Sequence, residues 1–157
     1  MGEYVWTVLK IGGAATQPTL EKLQELLDEE FGGGDNETDV VMECVTARSL
    51  IQAGGQRNYG NVDEILAFCQ DHNLTVWASW DAAPGCFDAG IQYWKPGMID
   101  VADASSNDDG EPCLTVDQLR TKLAEGATLE QVIDELALAE SAAVPPIELI
   151  APVAVPA

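Results

Sequence analysis

The segment from Glu3 to Ile11 constrains the fold most: Val5, Trp6, Val8, Leu9 and Ile11 make an almost unbroken apolar run, far too short to cross a membrane as a helix. A short run of this kind reads as a strand covered on both faces, so it predicts a position inside a sheet. Gly12-Gly13 ends the run. From Pro18 the residues Leu20, Leu23, Leu27 and Phe31 recur at helical spacing, with Leu26 widening the stripe, and Gly32-Gly33-Gly34 stops the helix. Val40 to Val45 follows as a second apolar run and predicts another strand. The opening unit is then strand, helix, strand, and a right-handed crossover makes the strands parallel.

Ala47 to Gly60 stays open, because Ser49 to Gln52 fits either a short strand or a continuation ahead of Gly54-Gly55. Asn61 and Glu64 have capping-box spacing and start a helix at Val62, with Val62, Ile65, Leu66 and Cys69 as its stripe. Asn73 suits a left-handed end. Leu74 to Trp80 then predicts a strand, and Ile91 to Trp94 its hairpin partner after the turn 81–90. Asp100 to Glu111 holds five acids and no base and reads as a solvated loop. Thr115 with Gln118 and Thr128 with Gln131 are two more capping boxes, so 116–125 and 129–140 form a helical hairpin closed by Gly126. Half of the prolines lie in the tail beyond Ser141, which is either a disordered end or a docking segment. The fold class expected is α+β or α/β: a mixed sheet of four to five strands covered by helices, with a C-terminal helical hairpin. A ferredoxin-like arrangement is one of the options open if Ser49 to Gln52 is a strand. The organisation read from the chain is a sheet core over 1–97, an acidic loop over 98–114, the hairpin over 115–140 packed on the same domain, and a Pro-rich tail over 141–157.

Charge dominates the functional reading. The 157 residues hold 27 Asp and Glu against 7 Lys and Arg, a formal net charge of -20, while 46% of residues are apolar. There is material for a core, but a direct grip on nucleic-acid phosphates or on an anionic membrane is disfavoured. Cys44, Cys69, Cys86 and Cys113 are widely spaced, with no Cys-x-x-Cys pair, and His72 is the only histidine. A zinc module is therefore not expected, and the thiols read as small buried hydrophobes in a reducing compartment. The start, Met1 to Trp6, lacks a basic segment ahead of a long apolar one, so a cytoplasmic protein is expected.

Two glycine-rich places are candidate anion sites. Lys10-Ile11-Gly12-Gly13 resembles the opening of the amino-acid kinase family, which implies Lys10, Gly12 and Gly13 beside a phosphate; the chain is too short for that family's substrate and nucleotide regions. In Gly54 to Gly60, Gly55 and the following helix start would supply amides, Arg57 a charge and Tyr59 a stacking face. A flexible turn and a capped loop explain both equally well. The acidic loop lacks the bidentate glutamate of an EF-hand, since the twelfth position falls on Val116. Asp81 sits where α/β sheets carry catalytic carboxylates, with Asp88 across the turn, but turn capping accounts for both. No nucleophile, base and oxyanion set accompanies any of these, so no catalytic residue, metal ligand or cofactor is assigned. Trp77 and Trp80 differ in parity and should face opposite sides of their strand, which makes Trp80, with Trp94, a candidate partner anchor.

Asn58 to Cys69, followed by Trp94-Lys95-Pro96-Gly97-Met98, resembles small acidic accessory proteins of phages and plasmids, most of them without assigned function. The resemblance covers about a third of the chain and transfers no catalytic residue. Together these readings point to a non-enzymatic acidic interaction protein, an inhibitor or nucleic-acid mimic acting on a basic DNA- or RNA-handling protein through Asp100, Asp103, Asp108, Asp109 and Glu111. The alternatives are salt adaptation without a charge-specific partner, and a small phosphate- or nucleotide-binding domain or enzyme using the glycine-rich loops.

Overall fold

A computed structural model describes residues 3–151. Met1 and Gly2 of the expected leaderless start, and the tail beyond Ala151, lie outside the described residues. The fold is α+β, built on one open, almost wholly antiparallel sheet. Strand β1 (Tyr4–Ala15) is followed by helix α1 (Gln17–Phe31), a two-residue strand β2 (Glu37–Thr38), helix α2 (Val41–Ala47), β3 (Ile51–Asn58), α3 (Asp63–Asp71) and β4 (Thr75–Trp80). Then come β5 (Gly90–Trp94), β6 (Ala102–Ser105), helices α4 (Val116–Ala124) and α5 (Leu129–Leu138), and β7 (Ile147–Leu149). The sheet order is β2-β3-β1-β4-β5-β6, with β7 running parallel to the end of β1.

The buried run does occupy the sheet interior, but with alternating faces. Val5, Leu9 and Ile11 are buried, Leu9 and Ile11 in the core under the helices, whereas Trp6, Val8 and Lys10, of the opposite parity, are only half-buried. Gly12-Gly13 does not end β1, which continues to Ala15. In α1, Leu20, Leu23, Leu27 and Phe31 are buried and Gly32 closes the helix, as the spacing predicts. With Ile65, Leu66 and Cys69 of α3 and Val41 and Cys44 of α2 they form the main core on one face of the sheet.

Two expectations are corrected. Val40 to Val45 is not a strand; Val41 and Cys44, three apart, are the buried pair of α2. Gln24 Oε1 of α1 accepts from the Val41 amide at 2.6 Å, supplying from a distant element a partner for the helix start. The second long strand is instead β3, through the glycines, and it pairs antiparallel with β1 from Tyr4↔Asn58 to Ile11↔Ile51. Since β4 is also antiparallel to β1, β3 and β4 run parallel to each other with β1 between them. The crossover thus lies one unit later than expected, over α3.

The hairpin β4-β5 and the helices α4 and α5 form as expected, and both capping boxes at Thr115 and Thr128 are closed reciprocally. Within the acidic segment, residues 102–105 are a strand, β6, paired with β5, so only part of it is loop. The tail docks: the Gly13 amide donates to the Pro146 carbonyl at 3.1 Å, and Ile147 is buried. Of the cysteines, Cys44 and Cys69 are buried, Cys113 is half-buried and Cys86 is exposed. Among the described residues no helix is long and apolar enough to cross a membrane.

Candidate interaction surface

The two faces of the sheet are covered unequally. On the face away from α1, α2 and α3, the second layer formed by the described residues centres on β4 and β5. There Trp77, Ile91, Tyr93, Ala139 and Val144 form a small core, and Trp77 Nε1 donates to the Ala139 carbonyl at 2.8 Å. Among the described residues the β1-β3 half carries no helix of its own: Val8 touches the edge of that small core, and Gln52 and Gln56 are exposed beside half-buried Trp6 and Lys10. A groove of 590 Å³ runs along the step between α5 and this bare strip, with Val8, Lys10 and Trp77 in its floor and Ile133, Leu136 and Ala137 in its wall. A second depression of 380 Å³ continues it over Trp6 and Gly54.

Carboxylates stand on both sides of the strip. Asp109, Glu111 and Glu140 line the α5 side, and Glu37 and Asp39 the β2 side. Trp6 lies low because β3 has no side chain beneath it; a Cβ on Gly54 would stand 3.1 Å from the Trp6 ring. Lys10, the one cation that the described residues place in the floor, holds its Nζ 5.4 Å from the Trp77 ring centroid. Among the described residues it has no carboxylate within 4.0 Å.

The five acids of 100–111 are all exposed but do not form one cluster. Asp109 and Glu111 face the groove, and Asp103 lines a separate depression beside α4. Asp108 approaches Asp81, whose pKa is raised first by partial desolvation and then by the Asp108 charge. Asn107 organises the turn: its Oδ1 accepts from the amides of Asp109 and Glu111, each at 3.0 Å. Carboxylates are also spread over the hairpin. From Asp100 to Glu140 there are eleven acids against Arg120 and Lys122. Between them, Val116, Leu123, Leu129, Ile133 and Leu138 remain exposed, Val116 at 65% and Ile133 at 56%.

The expected anchors divide. Trp94 is buried in the main core with its Nε1 donating to the Met98 carbonyl, so it offers no ring to a partner. Trp80 is on the face opposite Trp77, as parity predicts, and is half-buried. Its ring packs over Gly90 and Gly60, and its Nε1 donates to the Asp88 carbonyl at 3.1 Å.

Neither glycine-rich anion site is assembled. The tail fills the space over Gly12, the Gly13 amide is taken by Pro146, and Lys10 lies over Trp77. Gly55 packs against the Asn36 side chain, which accepts from the Gln56 amide. Arg57 is engaged on every side: with the Glu30 carboxylate and carbonyl, with the Asn61 carbonyl at 2.9 Å, and over the Phe31 ring at 5.2 Å. Tyr59 is exposed and packs against Phe87. Arg57 therefore ties the end of α1 to β3. Its replacement by alanine is expected to cost about 2 kcal/mol, because the half-buried Glu30 carboxylate loses its counter-charge. Urea unfolding of Arg57→Ala, Glu30→Gln and the double variant measures the coupling, and additive single effects would refute the clamp.

From sequence, Trp6 and Val8 fall in a strand and Glu37 and Asp39 in an acid cluster at 35–39, but none of them, nor Gln52 or Glu140, is assigned to this strip. The available signal was the parity of Lys10, which marks the Trp6-Val8-Lys10 side of β1 as the wetter face. Among the described residues no group of three His, Cys, Asp or Glu side chains is placed to hold a metal ion. Compared with known proteins, the chain matches no family model, no curated protein and no solved structure.

Proposed function

We propose that this is a non-enzymatic acidic interaction protein whose partner is a basic protein, in particular one that handles DNA or RNA and whose phosphate-binding surface the carboxylates occupy. The supporting observation is the surface of the C-terminal half, where eleven acids face two bases and exposed aliphatic side chains lie between them. Charge gives such a surface reach and selectivity, and the aliphatic groups give short-range contact that salt does not screen. Trp80 and the acids at 100, 103, 108, 109 and 111 belong to this reading.

The test presents the immobilised protein with basic DNA- and RNA-binding proteins, linker histone among them, and raises the salt stepwise. Retention at low salt, release as screening sets in, and competition by duplex DNA are expected. Converting Asp100, Asp103, Asp108 and Asp109 to asparagine and Glu111 to glutamine should weaken retention about tenfold or more, several charge contacts being lost together. Retention unchanged by those substitutions would remove the loop from the interface, and failure to retain any basic protein would overturn the proposal.

A further inference from the structure

We infer that the bare β1-β3 half of the sheet is the seat for a basic amphipathic helix of the partner, laid beside α5 to complete the second layer. The inference rests on the basic-partner reading above and names where the partner sits and what it presents. Helices in one layer pack about 8–10 Å apart, and strands are about 4.8 Å apart, so the next helix position falls two strands along from α5. The end of α5 is fixed over β4 and β5, where Ala139 packs with Trp77, Ile91 and Tyr93, and two strands further are β1 and β3. An incoming helix there meets Trp6 and Val8 below and Ile133 beside it, all of which are partly or largely exposed.

Charge complementarity selects the occupant. A helix lying along the strip has Glu37 and Asp39 on one flank and Asp109, Glu111 and Glu140 on the other. An apolar stripe with lysine or arginine on both flanks matches that cross-section; an acidic or uniformly apolar helix does not. Lys10, with no carboxylate within 4.0 Å among the described residues, adds a register mark, because a glutamate within the stripe of the occupant gains a partner there.

The test uses the whole chain, isotopically labelled, and a synthetic helix with leucine at i, i+3, i+4 and i+7, lysine on both flanks and one glutamate in the stripe, titrated at low salt. Amide shifts concentrated at Val8, Ala53, Gly54 and Ile133 are expected. Ile133→Lys, an exposed substitution that leaves the core intact, should weaken binding about tenfold by removing an apolar contact and adding repulsion. A twin peptide with glutamine for the glutamate should bind a few-fold more weakly to the native chain and equally to Lys10→Met. Equal binding of the twins to the native chain would overturn the register role of Lys10. Shifts confined to the 100–111 segment and the outer face of α4 would overturn the seat while leaving the basic-partner reading intact. No binding of the basic helix at low salt, with linker histone still retained, would likewise overturn the seat; loss of both would remove the underlying reading as well.

Discussion

Trp77→Ala is expected to release the helical hairpin from the sheet while the main core stays folded. Trp77 is the largest side chain between the two layers on that face, it is 4% exposed, and its indole nitrogen holds the Ala139 carbonyl at the end of α5. Truncation of a buried tryptophan costs about 3–5 kcal/mol, a large share of the 5–15 kcal/mol that stabilises a typical domain. The loss should be local, because α4 buries no residue and α5 only Val132. Hydrogen exchange then reads it: amides of α4 and α5 should lose protection while those of β1, β3 and α1 keep theirs. Trp77→Phe keeps most of the packing but strands the Ala139 carbonyl, so about 1–2 kcal/mol is expected. A uniform loss of protection across the whole chain would mean that the hairpin and the sheet unfold as one unit.

Gly12→Ala should be the more damaging of two single-methyl additions to the glycine pairs. A Cβ at Gly12 would overlap the Pro145 carbonyl, which is backbone and cannot swing aside as a side chain can. The tail must then leave β1. The β1-β7 pairing goes with it, and so do the flanking bonds from the amides of Gly13 to Pro146, Ile147 to Ser49 and Ile150 to Ala15. Exposure of Ile147 and Val144 alone forfeits about 3 kcal/mol of apolar burial. Limited proteolysis should cut within 144–151 in this variant and spare that stretch in the native chain. Gly54→Ala meets only the rim of the Trp6 ring at 3.1 Å and should be milder. A protected tail in Gly12→Ala would show that β1 and β7 can separate slightly without losing their register.

Helices α1, α4 and α5 were legible from local signals, whereas the box expected at Asn61 and Glu64 is not closed: α3 starts at Asp63, and Asn61 Oδ1 accepts from the Asp63 amide at 2.8 Å. α1 shows its stripe and its glycine stop, and α4 and α5 show capping boxes that need only residues three apart. What else failed depended on distant partners. Val40 to Val45 has the composition of a strand, and it is helical because Val41 and Cys44 bury together and Gln24 reaches its first amide. β3 was hidden by Gly54-Gly55, residues that strands ordinarily avoid. The reason for them is tertiary: Trp6 covers one and Asn36 the other. The surface was legible in its charge but not in its shape. The acids themselves were visible, but Glu37 and Asp39 on one bank and Glu140, just past α5, on the other come to the strip only through sheet order and the placement of α5.

The position of β1 at the centre of the sheet has a kinetic side. It precedes all its long partners in the chain, pairing with β3 from Ile51, with β4 from Thr75 and finally with β7 from Ile147. Each pairing closes a longer loop than the one before, and such non-local closures are slow. During synthesis the strand therefore emerges with both edges unpaired, gains one neighbour and then the other, and has the backbone of its last residues satisfied only when residues 146–150 arrive. An apolar strand kept waiting in this way invites pairing with other chains, and the density of negative charge around it opposes that encounter throughout the wait.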